Sequence, residues 1–368
     1  MKNLTMEQEA QYTSFRECFI EHQQLTDIYT IFDRLALNSS IGGEQQSMLL
    51  TGDAGSGKSA LIDNYVSRYV ASKSRWSELP VLKTSIPSQI HEKNMLERFL
   101  LDLDSEVSIR VRRSYQKASL EQSVVRHLRD KKVRLVIVNE VQELIEFKDA
   151  QERQAIANTF KMISEQAQVS FVLVGMPYTA LLADETQWSS RLGWRRSLDY
   201  FRLFKILEPS KVANVDKAIR AKSGAFYQAD HNGKLHFAKF VAGLASRMGF
   251  EKSPNLTSND ILLPLFAMCR GECRALKHFL SDALLSSFQE CKGTIDKPLL
   301  AQTFNLKFPD APRNPFECRL EELEIVELAT ETGYNHLAKT KEARLISQSF
   351  TEILPIELLL SKKPLKMI

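Results

Sequence analysis

The sequence predicts an α/β domain built on a parallel sheet, followed by a mostly α-helical domain, and three observations predict it. A glycine-rich loop, Gly52-Asp53-Ala54-Gly55-Ser56-Gly57-Lys58-Ser59, stands between a short apolar strand and a helix. Two runs, 133–138 and 169–174, are apolar almost throughout, as central strands buried on both faces are. Helical patterns alternate with such runs as far as Pro209 and replace them beyond it.

Taken in order, apolar residues at helical spacing over 14–37 predict a leading amphipathic helix or helix pair, and a polar break follows at 38–46. Residues 48–51 form the first strand, which runs into the glycine loop, and 60–72 form the next helix. A second strand at 80–86 is closed by Pro87. Helices at 88–103 and 119–130 precede the third strand, 133–138. Helix 150–167 leads to the fourth strand, 169–174, and a helix around 178–192 leads to a fifth strand near 200–206. Beyond Pro209, helices are predicted at 212–223, 233–248, 259–268, 272–290 and 296–304. Pro309, Pro312 and Pro315 mark an extended connection to a last helical stretch and a tail. The expected divisions are a helical N-terminal segment (1–46), an α/β domain (47–208), a helical domain (209–307) and a C-terminal extension suited to binding a partner (308–368).

A length of 368 residues exceeds one compact core. The hydrophobic fraction of 43% and charged fraction of 26% are those of an ordinary globular protein. No apolar run approaches the roughly 20 residues that span a bilayer, and residues 1–16 are polar, unlike a secretory signal. A cytoplasmic protein is expected. Five cysteines, an odd number, argue against a disulfide framework and for a reducing compartment. Cys269 and Cys273 lie four apart on a predicted helix with no second Cys/His pair to complete a zinc set, so core packing is the preferred reading. The net charge of +4 permits nucleic-acid contact without demanding it.

The glycine loop carries the strongest chemistry. Its glycines let successive backbone N–H groups converge on phosphate oxygens, and the helix beginning near Lys58 adds its positive end. Gly52, Asp53, Ala54, Gly55, Ser56, Gly57, Lys58, Ser59 and Ala60 therefore form a candidate ATP phosphate site. Lys58 is expected to reach the β- and γ-phosphates, and the Ser59 hydroxyl to ligate Mg²⁺. At the end of the third strand, on a strand expected beside the first, stand Asn139 and Glu140. Phosphate-loop ATPases usually carry Asp-Glu there, the Asp holding Mg²⁺ through water and the Glu polarising the attacking water. Glu140 fits the base. Asn139 can bond a metal-bound water but brings no charge, which points to slow turnover.

These segments together resemble an AAA+ ATPase of the TniB/TnsC family, the ATP-dependent regulators of DNA transposition. The similarity runs from about Cys18 to Phe304. CFIEHQQLTDIYTIFDRL (18–35) resembles the family's leading helix, and RLVIVNEVQELIE (134–146) its Asp-Glu strand and following helix. FVLVGMPYTALL (171–182) resembles the strand ending in a Gly-Thr-Pro-like turn. CRGECRALKHFLSDALLSS (269–287) resembles the helical lid, in which a glycine, Gly271, is followed three residues later by an arginine, Arg274.

The resemblance implies an AAA+ domain with a helical lid, ATP held between subunits, and assembly as a ring or filament on double-stranded DNA. Arg274 takes the place of the lid arginine that touches the γ-phosphate. Arg191, Arg195 and Arg196 lie where an arginine finger projects into a neighbour's site. The polar residue expected after the fourth strand is not evident, since Met176 stands near its place and Thr179 is a weak substitute. Lys83, Thr84, Arg110, Arg112, Arg113 and Lys117 are DNA-contact candidates, with Tyr115 able to pack on a sugar. The implied task is to connect a TniQ-type target-selection protein, with or without a CRISPR effector, to the transposase. The alternatives are a replication-initiator or helicase-loader-like ATPase, or a nucleotide-dependent scaffold with little hydrolysis. A winged-helix domain after the lid would mark the first, and residues 305–368 are short and proline-rich for one. The apolar Leu358-Leu359-Leu360 either docks another protein or caps the chain's own lid.

Overall fold

Helix α1 (Met6–Glu17) begins at a reciprocal cap, in which Thr5 and Gln8 satisfy each other's backbone N–H. A break separates it from α2 (Gln23–Ser40), whose Leu25, Ile28, Tyr29, Phe32 and Leu35 are buried at helical spacing. The leading segment is therefore a helix pair. A computed structural model of the chain describes residues 4–71, 78–86, 92–103, 117–146, 148–184, 189–208, 219–220, 224–351, 353–354, 356 and 359–360. The chain divides into two compact units. One comprises Gln24–Asp199 and Glu331–Ser347; the other comprises Met1–Gln23, Tyr200–Thr330 and Gln348–Ile368.

The first unit is built on five parallel strands: β1 (Met48–Thr51), β2 (Val81–Ser85), β3 (Leu135–Asn139), β4 (Ser170–Gly175) and β5 (Trp194–Ser197). Their order is β2-β3-β4-β1-β5. Every residue of β3 and β4 is buried, which explains their near-continuous apolarity. Helices α3 (Lys58–Ala71), α4 (Glu92–Leu103), α5 (Lys117–Asp130) and α6 (Ala150–Ala167) complete this unit. Phe99, Phe160 and Phe171 meet in its core at ring separations of 5.3 to 6.5 Å.

Three expectations need correction here. Strand β3 is not the neighbour of β1, because β4 pairs with both and lies between them. The fifth strand is 194–197, set by its register from Met48↔Trp194 to Thr51↔Ser197. Residues 195–197 are exposed on this edge strand, so its place in the sheet leaves no apolar signature. The helix expected at 178–192 is a 3₁₀ segment, Pro177–Asp184, in its described first part.

The second unit contains a three-stranded sheet, two strands of which lie beyond Pro209, where only helices were expected. β6 (Phe204–Leu207), β7 (Ile219–Arg220) and β8 (Phe226–Ala229) form an antiparallel sheet in the order β6-β8-β7. Strands of two to four residues are too short for an alternating pattern to register. Helices α7 (His231–Ser246), α8 (Asn259–Cys269), α9 (Cys273–Gln289) and α10 (Lys297–Lys307) follow. Asp230 and Asp296 cap α7 and α10, each accepting a backbone N–H of the first turn. Cys269 lies in the unit's apolar core with Cys273 packed against it, and burial pushes both thiols up, that of Cys273 to about 12.

Short strands also replace the expected last helical stretch. β9 (Leu328–Thr330) pairs antiparallel with β12 (Ser349–Phe350) in the second unit. Between them, β10 (Gly333–Tyr334) pairs with β11 (Leu345–Ile346) in the first. Buried Glu327 accepts the Leu203 and Phe204 backbone N–H groups, and desolvation raises its pKa to about 7. Leu354, Ile356 and Leu359 are buried in the second unit's core, and Lys234 Nζ donates to the Leu359 carbonyl at 2.7 Å. In its described part the apolar tail therefore caps its own helical unit. Among the described residues, no helix is long and apolar enough to cross a membrane.

Candidate nucleotide site

The loop after β1 turns so tightly that its glycines are needed. A Cβ on Gly52 would sit 2.6 Å from the Leu198 carbonyl oxygen and 2.9 Å from Ser56 Oγ. Gly57 has φ +105°, outside the range that L side chains favour. The loop leads into α3, whose first residue is Lys58. Lys58 is 8% exposed, and its ammonium donates to the Gly52 and Asp53 carbonyls at 2.6 and 2.8 Å. A buried cation is thus held within the loop by weak neutral acceptors, which a phosphate oxygen outcompetes. Ser56 Oγ is buried without a hydrogen-bond partner in the same loop. Ser59 and Ala60 are exposed at the start of α3.

Across the sheet, the end of β3 meets this helix start. Asn139 Nδ2 lies 3.5 Å from Ser59 Oγ and 3.5 Å from Glu140 Oε1. Asn139 Oδ1 is buried with no partner. Glu140 has φ 58° and ψ 40°, a left-handed conformation rare for a residue with a side chain, at the point where the strand gives way to a 3₁₀ turn (Val141–Leu144).

That turn brings in a residue the sequence reading missed. Gln142 donates from Nε2 to the Glu140 carboxylate, and its Oε1 accepts the Met176 N–H at 3.3 Å. Gly175 admits this amide, since a Cβ there would stand 3.0 Å from Gln142 Oε1 and 2.5 Å from Thr179 Cγ2. Thr179, the substitute considered for the missing polar residue, is fully buried and donates to the Met176 carbonyl at 2.7 Å. The polar contact at the end of β4 comes from Gln142 instead. Nearby Tyr178 donates to Glu146, and burial followed by that hydrogen bond pushes its hydroxyl pKa up.

A profile described as Bacterial TniB protein matches residues 13–199, just over half of the chain, and spans this whole arrangement. The chain belongs to the TniB family. No curated protein sequence matches it. Among solved structures, it is similar to ORC2 of Aeropyrum pernix in ADPNP–ADP complexes, with 14% identity and a TM-score of 0.56 over 82% of this chain and 72% of that one. Drosophila ORC bound to DNA gives 10% and 0.53 over 83% and 66%, and Cdc6p of Pyrobaculum aerophilum 12% and 0.51 over 80% and 70%. At such identities the likeness establishes the fold. This TniB-family chain has the AAA+ ATPase architecture, with a parallel sheet, flanking helices and a helical region after it.

The remaining candidates fall at scattered positions. Arg191 is paired with Glu165 and is part-buried, whereas Arg195 and Arg196 are exposed on the edge strand β5. The Arg196 guanidinium lies 5.8 Å from the Trp194 ring centroid. Arg274 is exposed in the first turn of α9, in the second unit. Lys83 pairs with Asp63. Thr84 is only 1% exposed because β2 turns it inward, so it is withdrawn as a surface contact for DNA. Arg110, Arg112, Arg113 and Tyr115 lie outside the described residues, as does the side chain of Lys117, the first residue of α5.

Asn139 invites a direct test. Asn139→Asp restores a charge beside Ser59 and is expected to raise ATP turnover about tenfold, ATP affinity staying within a few-fold of wild type. Steady-state phosphate release at saturating ATP measures it. An unchanged or lower rate with affinity intact would overturn this account of the position.

Proposed function

We propose that this chain is an ATP-dependent regulator of DNA transposition that assembles as a ring or filament on double-stranded DNA. In this reading it links a TniQ-type target-selection protein, with or without a CRISPR effector, to the transposase, and works in the cytoplasm. The observation that carries it is TniB-family membership over a segment whose phosphate loop and β3 end meet, Ser59 and Asn139 being 3.5 Å apart. Drosophila ORC, which shares the fold, is a DNA-bound protein, and that supports a duplex as the ligand here.

The residues divide the work as follows. Lys58 binds phosphate oxygens once they displace the two carbonyls it holds. Glu140 accepts the proton of the attacking water, and Gln142 holds that carboxylate against the end of β4. Arg195 or Arg196, exposed on the sheet edge, reaches a neighbouring subunit's nucleotide more readily than Arg191 does from its pair with Glu165. Arg274, in the second unit, is the candidate for the lid arginine that the family resemblance implies. The site suits Mg²⁺: Ser59 offers a hydroxyl, and a half-turn of the Asn139 amide presents its orphaned Oδ1 to a metal-bound water. When bound, the ion neutralises charge on the β- and γ-phosphate oxygens. Asn139 supplies no charge of its own, which favours a second reading, a nucleotide-dependent scaffold with little turnover. Phosphate release measured with and without DNA separates the two.

The test of the main reading is duplex binding. With ATP and Mg²⁺, the chain is expected to bind two unrelated duplexes within a few-fold of each other, and at least about tenfold more weakly without nucleotide. Its affinity should fall steeply and linearly in log–log form with salt, as counterion release dictates. Neutralising Arg110, Arg112 and Arg113 together should weaken both duplexes alike and flatten that slope. Loss confined to one sequence, or binding indifferent to ATP, would overturn the proposal.

A further inference from the structure

We propose that Thr332 is a positioning residue of the nucleotide site, holding the Asp53 carboxylate of the phosphate loop away from the incoming phosphates. The inference rests on the nucleotide reading of that loop.

Asp53 follows the first glycine of the cradle and is 3% exposed. A carboxylate there has given up its water, and it stands in a loop whose ligand brings several further negative charges. Left uncompensated, it opposes binding. Thr332 supplies two donors to one of its oxygens: the backbone N–H at 3.2 Å and the hydroxyl at 2.5 Å from Asp53 Oδ1. Asp53 Oδ2 is buried without a partner, so Thr332 is the compensation this carboxylate has among the described residues.

The donor is itself fixed from behind. Thr332 belongs to the segment Glu331–Ser347, which is part of the nucleotide unit. Immediately after it, β10 pairs with β11, and the Asn335 N–H donates to the Arg344 carbonyl at 2.7 Å. Tyr334 is 9% exposed and stacks on Tyr178, with ring centroids 5.6 Å apart and planes at 27°. Tyr178 is anchored in turn by its hydrogen bond to Glu146. A hairpin and an aromatic pair thus bolt the segment to the 3₁₀ turn after β4, and its free donors end on the phosphate loop. Residues 331–347 are therefore a working part of the ATP site, a role the motif itself does not hint at.

The test is a double-mutant cycle read by ATP binding in the presence of Mg²⁺, on the full chain. Thr332→Val keeps the shape and loses the hydroxyl donor, and should weaken ATP binding about tenfold. Thr332→Ser keeps the donor and should stay within about twofold. In an Asp53→Asn background, where no charge remains to be held, Thr332→Val should cost less than about twofold. Asp53→Asn alone, which removes the opposing charge, should bind ATP at least about threefold tighter than wild type, which gives a readout that does not depend on Thr332→Val folding. Thermal unfolding without nucleotide checks each variant separately. Wild-type affinity in Thr332→Val, the same loss in both backgrounds, or binding no tighter than wild type in Asp53→Asn overturns the inference. If wild type binds no ATP, or Lys58→Ala binds it equally well, the nucleotide reading falls and this inference falls with it.

Discussion

Lys58→Ala is expected to abolish measurable ATP binding, lowering affinity at least about 100-fold. Charge-assisted hydrogen bonds to phosphate are worth roughly 1.5–3 kcal/mol each, and a lysine ammonium has donors for more than one. The ammonium is already inside the loop, buried and bonded to two carbonyls, so little ordering is required when nucleotide arrives. Alanine also leaves the Gly52 carbonyl without this donor, while the Asp53 carbonyl keeps the Ser56 N–H at 3.3 Å. Equilibrium binding of ATP with Mg²⁺ measures the loss, and circular dichroism confirms that the variant folds. Affinity within a few-fold of wild type would remove the basis for the assignment.

Glu140→Gln should have the opposite profile, with hydrolysis down about 10²- to 10⁴-fold and ATP affinity nearly unchanged. The exchange is almost isosteric, and glutamine keeps an oxygen for Gln142 to donate to, so the 3₁₀ turn has no reason to move. What disappears is the ability to take a proton from water. The same variant tests whether ATP is shared between subunits. Alanine at Arg195 or Arg196 should lower hydrolysis without weakening nucleotide binding by a lone protomer, because a finger acts across an interface. Mixing it with Glu140→Gln creates some interfaces in which both halves are sound, and activity should partly recover near equal amounts. Single-turnover phosphate release on the mixtures decides it. No recovery with alanine at Arg191, Arg195 or Arg196 would mean that each site is complete within one subunit.

What the sequence disclosed depended on how local each feature is. The phosphate loop is contiguous, and strand and helix on either side fix its meaning. Strands β3 and β4 are buried on both faces, so burial writes itself into composition. Strand β5 joins the sheet through its pairing with β1 and exposes three of its four side chains, so no run of apolar residues could reveal it. Strand β7, with two residues, is too short for any pattern to register. Asn139 and Glu140 were found because they end a conspicuous strand. Gln142 was not, since a glutamine two positions on has meaning only once the backbone is known to coil into a 3₁₀ turn that returns its side chain to Glu140. Thr332 lay further out of reach: its contact with Asp53 joins residues 279 apart, and one threonine in a polar stretch carries no signal.

The return of residues 331–347 to the nucleotide unit sets a timetable for synthesis. At about 5–20 residues per second, a ribosome needs on the order of 10–60 s to travel from Asp53 to Thr332. Throughout that interval the phosphate loop has emerged without the donors that hold its carboxylate. The helical unit waits as well, because Leu354, Ile356 and Leu359 fill its core from still later in the chain. Neither body can close while the other is being made, and contacts of such long sequence separation are slow to form. A product truncated before residue 331 would leave two unfinished cores exposed to chaperones and proteases, where an ordinary tandem arrangement would leave one.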